Sequence, residues 1–154
     1  MSASDADGVL PLHPPGVARV AIGVDTVEIA RVAAVIERHG ERFLNRVFTA
    51  DERAYAGGRT LSLAGRFAAK EAAAKAMGTG IGPVGWRNIE IRNDVAGKPS
   101  LLLYGAAATR ARTAGLLEWH VSITHSRDLA TAFVVGYCPD AAVADETANN
   151  ERGE

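Results

Sequence analysis

The sequence predicts one α+β domain, a mostly antiparallel sheet packed by helices, with the order β-α-α-α-β-β-α-β-β. Three observations lead there. Strand-like and helical runs do not alternate one for one, which argues against a sheet wound from parallel βαβ units. Two pairs of strand-like runs are joined by short turn segments, and short turns join antiparallel strands. The 154 residues suit a single domain, long enough to bury a core without disulfides or a structural metal.

Each element has its own signal. Residues 1–16 are polar, Pro-rich and without periodicity, and read as a disordered extension. Val17 to Val24 (VARVAIGV) is rich in β-branched residues and reads as the first strand. From Val27 the pattern turns helical to about His39, where Gly40 interrupts it, and a shorter helical piece follows from Glu41 to Val47. Thr49, with Glu52 three residues on, matches a capping box that starts a helix at about Ala50. Gly57 and Gly58 mark a loop. The longest helix runs from about Leu61 to Met77 and stops at Gly78 and Gly80. Trp86 to Arg92 (WRNIEIR) alternates and reads as a half-buried strand. Asn93 to Pro99 turns the chain, and Ser100 to Tyr104 returns as the partner strand. Gly105 to Ala114 is helical by its alanine content. Trp119 to Thr124 alternates again, His125 to Asp128 turns, and Leu129 to Tyr137 is the last strand. Residues 139–154 read as a disordered acidic tail, which leaves 17–138 as the domain.

Composition narrows the class. Cys138 is the only cysteine, which excludes a disulfide framework and a cysteine-based zinc site. No apolar run approaches a membrane span, and the first residues lack the basic and apolar regions of a secretion signal. A cytoplasmic protein with no membrane partner is expected. The formal net charge of −1 is unevenly spread: residues 1–16 carry −2 and 139–154 carry −4, which leaves +5 on the body between them. A basic body suits an anionic ligand or partner, or simply a solvated surface. There is no Walker loop, dinucleotide fingerprint or G-x-S-x-G elbow. No aromatic residues interleave with the arginines, so nucleic acid is not an expected partner.

The residues able to carry chemistry begin in GRFAAKEAAAK, Gly65 to Lys75. Phe67, Glu71 and Lys75 lie at successive i,i+4 steps and form one stripe, with Arg66 and Lys70 on the next. One reading is a surface ion pair between Glu71 and Lys75, worth about 0.2–0.5 kcal/mol. The alanines between them offer another. So small-sided a helix can approach a sheet or a ligand closely, and three cations around one carboxylate suit a place where phosphates and a divalent metal meet. Asp25 stands where the first strand is expected to stop. There it would cap the next helix or, with Glu71, hold magnesium, which takes one or two protein carboxylates and fills its shell with waters and phosphate oxygens. Arg31, Arg38, Arg42 and Arg46 share one face if the helix keeps register through Gly40. That face is either solvated or a docking stripe for an acidic partner. His120 and His125 face opposite ways on a strand, and His125, opening the turn, is the more exposed.

Set in order, IGVDTVEIARV (Ile22 to Val32), FTADE, LAGRFAAKEAAAKAMGTGIG (Leu63 to Gly82), IEIRNDVAGKP (Ile89 to Pro99) and HVSITHS (His120 to Ser126) resemble the holo-[acyl-carrier-protein] synthase family. These are the small bacterial-type 4'-phosphopantetheinyl transferases, and the resemblance covers about residues 18–137. It implies their fold and their reaction, in which the phosphopantetheine arm of coenzyme A moves to a serine of apo-acyl-carrier protein and adenosine 3',5'-bisphosphate leaves. It implies magnesium held by Asp25 and Glu71, with Lys75 beside them in catalysis. Arg66, Lys70 and Lys75 match positions at the coenzyme A phosphates and leaving group. Gly97, Lys98 and Pro99 match a loop by the nucleotide, and His125 a residue near the 3'-phosphate. Arg31, Arg38, Arg42 and Arg46 fall where the family docks the acidic helix of the carrier protein. A homotrimer with active sites between subunits is implied as well.

Some points stay open. The base for the serine is a metal-linked water or Glu71, with water favoured because a metal-bound carboxylate is a poor base. The carrier protein served could belong to fatty acid, polyketide or peptide synthesis. Val27 stands where larger relatives place a further acidic ligand. Ala73 and Ala74 replace bulkier or polar residues of some relatives, a change expected to bear on the pantetheine arm. The alternatives are a non-catalytic module binding an acidic protein through the arginine face, which would not need Asp25 and Glu71, and a metal-dependent phosphohydrolase.

Overall fold

The computed structural model describes residues 20–139. The extension expected over 1–16, and the tail over 139–154 apart from Pro139, lie outside the described residues. The elements are β1 (Val20–Glu28), α1 (Ile29–Val47), α2 (Ala50–Ala56), α3 (Thr60–Ala76), α4 (Ile81–Val84), β2 (Ile89–Asn93), β3 (Pro99–Leu103), α5 (Gly105–Thr113), β4 (Glu118–His125) and β5 (Leu129–Tyr137). Every strand pair is antiparallel, as expected. The strands form two sheets rather than one: a three-stranded sheet in the order β1-β5-β4, and the β2-β3 hairpin.

α3 is the centre of the molecule. Ala68, Ala69, Ala72, Ala73 and Ala74 are all fully buried, and at 100° per residue they spread over most of the circumference, leaving open the side that carries Glu71 and Lys75. A helix apolar over so wide a face must be covered over most of its circumference. They share one core with Ala132 and Val134 of β5 and with Val84, Ile89, Ile91, Leu101 and Ala107 from α4, β2, β3 and α5. Alanine is what the spacing allows. A Cβ on Gly23 of β1 would lie 1.8 Å from the Ala72 carbonyl oxygen, so strand and helix backbones touch there. The small side chains therefore serve approach to the sheet and core. Ala73 and Ala74 are fully buried in that core, which corrects the expectation that their side chains bear on the pantetheine arm directly.

Three local expectations need correction. β1 continues to Glu28 instead of stopping at Val24, because β5 offers nine residues and pairs with all of them, from Val20↔Tyr137 to Glu28↔Leu129. α1 consequently starts at Ile29, with Glu28 in the N-cap position, and Asp25 is a strand residue rather than a cap. Trp86–Asn88 is a 3-10 turn, not strand, held where the Asn88 side chain donates to the Val84 carbonyl at 2.9 Å. The short helix α4 before it has no periodicity to announce it.

Other local signals match the structure. Gly40 breaks α1 with φ 50° and ψ −132°. The capping box is complete: the Thr49 N–H donates to Glu52 Oε2 at 2.9 Å and the Glu52 N–H to Thr49 Oγ1 at 3.3 Å. On the three-stranded sheet, α3 covers one face. The other presents Val20, Ile22, Val24, Leu129 and Phe133, each between 41 and 60% exposed.

Candidate active site

β1, α1 and α3 meet at a cleft of about 310 Å³, lined by Asp25, Thr26, Val27, Arg31, Val32, Val35, Phe43, Phe67 and Glu71. Strand alternation turns Asp25 inward with Gly23 and Val27, while Val24 and Thr26 face out. One turn beyond Glu71, Lys75 donates from Nζ to Asp25 Oδ1 at 2.7 Å and to the Val24 carbonyl at 3.2 Å. The hydrogen-bonded partner of Lys75 is thus Asp25, across the helix–strand contact, rather than its helical neighbour Glu71. Burial raises the Glu71 carboxyl above its ordinary value, the Asp25 carboxylate raises it further, and Lys75 opposes the rise. Two repelling oxygen donors in one half-buried cleft are relieved by a hard cation, and two carboxylates are what magnesium commonly takes from protein. Among the described residues no third His, Cys, Asp or Glu joins them.

Lys70 is not in this cleft. It is fully buried, and its ammonium donates to the Ile89 carbonyl at 2.6 Å and the Trp86 carbonyl at 3.0 Å while pairing with Glu52 at 2.7 Å. The expectation that it meets phosphates is corrected by this burial: no ligand reaches an ammonium whose three protons are already engaged. The two stripes of α3 point to different neighbours, and the step of 100° between Lys70 and Glu71 carries one into the core and the other into the cleft.

Arg66 lines a second cleft of about 260 Å³ with Tyr55, Arg59, Leu61, Ser62, Gly65, Asn93, Gly97, Pro99, Ile123 and His125. It shares no lining residue with the first. Arg66 is buried, with its guanidinium carbon 4.5 Å from the Tyr55 ring centroid. It donates from Nη1 to Ser62 Oγ at 2.7 Å and from Nη2 to Asn93 Oδ1, whereas Nε is buried without a partner among the described residues. A buried donor left in this way is one that a bound acceptor would satisfy. His125, the last residue of β4 rather than the first of the turn, enters from the sheet beside Ile123. Gly97 comes from the β2-β3 turn and Pro99 from the start of β3; Lys98 between them is exposed, with its N–H donating to Asp94 Oδ1 at 2.9 Å. Sequence reading missed Tyr55 and Asn93. Asn93 stood in the turn segment without a signal of its own, and Tyr55 looked like an ordinary residue of a short helix.

Arg31, Arg38, Arg42 and Arg46 are all exposed, and their side chains make no ion pair among the described residues. Arg31 also lines the first cleft. The break at Gly40 separates Arg31 and Arg38 from Arg42 and Arg46, so one continuous helical face does not carry all four.

Residues 21–138 match the family model described as the 4'-phosphopantetheinyl transferase superfamily. A holo-[acyl-carrier-protein] synthase of Herpetosiphon aurantiacus is 49% identical over 121 residues, 74% of this chain and 95% of that protein. The crystal structure of the Neisseria meningitidis holo-[acyl-carrier-protein] synthase superposes with a TM-score of 0.69 at 38% identity, covering 75% of this chain and 96% of that one. The Helicobacter pylori holo-[acyl-carrier-protein] synthase in complex with coenzyme A gives 0.69 at 31% identity, covering 75% and 98%. The chain belongs to the holo-[acyl-carrier-protein] synthase family.

Proposed function

We propose that the protein transfers the 4'-phosphopantetheine group of coenzyme A to a serine of an apo-acyl-carrier protein, leaving adenosine 3',5'-bisphosphate. The single observation that carries this reading is the meeting of Asp25 and Glu71 in one cleft, with Lys75 on Asp25. Breaking a pyrophosphate gathers charge on its oxygens, and a fixed cation lowers that barrier without reorganising. Lys75 would serve so from the rim. Asp25 and Glu71 would hold magnesium, whose chemistry when bound is to neutralise the phosphate oxygens. Glu71 would be a poor base if held as a ligand, so the serine proton would leave to water.

Arg66 and His125 would take a phosphate of coenzyme A in the second cleft, with Gly97 and Pro99 beside the nucleotide. The orphan Arg66 Nε supports this. Neither cleft alone suits so large a substrate: their volumes of about 310 and 260 Å³ fall at or below the small end of ligand sites, roughly 300–1,000 Å³. A homotrimer whose sites join the first cleft of one copy to the second of its neighbour accounts for both. The exposed apolar face of the three-stranded sheet would be its interface. Arg31, Arg38, Arg42 and Arg46, exposed and without an ion pair among the described residues, would receive the acidic carrier protein.

Mass spectrometry tests the reaction. Coenzyme A and magnesium together should add one phosphopantetheine group to an apo carrier protein, and Glu71→Ala or removal of the metal should abolish the gain. No gain across several apo carrier proteins would overturn the proposal.

A further inference from the structure

The buried Glu52–Lys70 pair is left unused by the chemistry above, and ion pairs of this kind are weak evidence of stability because desolvation opposes their attraction. Its place in the fold suggests another use. β2 hydrogen-bonds to β3 along one edge and, among the described residues, has no strand on the other. On that open edge the Ile91 N–H donates to Glu52 Oε1 at 2.9 Å, and the Ile89 carbonyl accepts from Lys70 Nζ at 2.6 Å. A neighbouring strand would offer the same acceptor and donor. The ion pair stands in for that strand and clips β2 to α2 and α3.

A second clip lies one turn earlier in α3, where Arg66 donates to Asn93 at the far end of β2. Asn93 in turn donates from Nδ2 to the Gly97 carbonyl at 2.9 Å. Lys70 with Ile89 and Arg66 with Asn93 run in opposite order along helix and strand. Together they fix both the slide and the rotation of α3 against β2. We propose that Glu52 and Lys70 are positioning residues for the transfer reaction: by locking β2 onto α3 they hold the Arg66–Asn93–Gly97 arm that shapes the second cleft. This rests on the reading of that cleft as the nucleotide end of the coenzyme A site.

The test uses the full chain, with adenosine 3',5'-bisphosphate as probe. Lys70→Met keeps the bulk and removes the ammonium. Glu52→Gln keeps the shape and one acceptor oxygen but removes the charge and puts an NH2 donor in place of the other acceptor, so it breaks the clip independently and carries the same test should Lys70→Met fail to fold. Calorimetric binding to folded protein should weaken, and KM for coenzyme A should rise, by about 10- to 100-fold, the range for partners that act by orienting a binding group. KM for the carrier protein should hold. Asn93→Ala should give a similar loss alone and add little when combined with either variant, because the arm is already released. Variants that melt at lower temperature yet bind as wild type while folded would overturn the inference, as would an Asn93→Ala effect that multiplies with theirs. A wild-type protein that bound neither coenzyme A nor the bisphosphate would overturn the transferase reading and this inference with it.

Discussion

Glu71 illustrates how a site residue is set against its own fold. Its carboxyl lies above the ordinary value of 4.5, chiefly through burial and then through Asp25. An acid raised in this way binds its proton more tightly folded than unfolded. Its contribution to stability therefore falls as pH rises from about 4.5 through the raised value, and returns as pH is lowered. In metal-free buffer Glu71→Gln should melt above wild type at neutral pH, with the gap closing as the pH drops, which thermal unfolding across about pH 4 to 8 would measure. Magnesium should reverse the order by stabilising wild type alone, and its affinity should weaken as Glu71 takes up its proton. Lys75→Met should lower kcat by about 100-fold, the scale for one preorganised donor at developing charge, while leaving the protein folded; steady-state rates with circular dichroism check both halves. Arg66, Lys70 and Lys75 are alike on paper, three cations around one carboxylate. Their fates differ because each faces a different neighbour: Lys75 the Asp25 carboxylate, Arg66 the end of β2 at Asn93, Lys70 the interior.

Helices and strands were largely legible where the signal is local. The Thr49 capping box, the Gly40 break, the Gly57–Gly58 loop and the β2-β3 turn each follow from the chemistry of two or three residues. Thr49→Ala should cost about 1 kcal/mol by removing one half of the box. Gly23→Ala should cost more, at least about 1–3 kcal/mol, because the new Cβ would lie 1.8 Å from the Ala72 carbonyl and backbone rather than a side chain must move. Urea unfolding of the two variants should rank them in that order. The end of β1 was not legible, since Thr26 and Val27 suit a strand but Val27 also begins a helical pattern; its partner β5 supplies the reason for the longer strand. The same extension carries Asp25 into the cleft.

At the scale of the whole molecule, the two clefts of the candidate site, the bare apolar sheet face and the arginines that make no ion pair among the described residues are the features the proposed homotrimer and carrier-protein docking would use. Ile22→Asp, in the middle of the exposed sheet face, should yield monomers by light scattering and lose transferase activity in proportion. Arg38→Glu should raise KM for the carrier protein and flatten its dependence on salt, with KM for coenzyme A unchanged; equal rates at every salt concentration would remove the arginines from the docking surface. Patterning and capping, local along the chain, were enough to indicate the antiparallel α+β plan; motif order indicated the family, and the resemblance, not the spacing, put Asp25 with Glu71. The placing of Asp25 within a strand, the burial of Lys70 and the separation of Arg66 from Glu71 depended on pairing between residues as distant as 25 and 132 and on what covers each side of α3. Burial is set by neighbours remote in sequence, so no local pattern can state it.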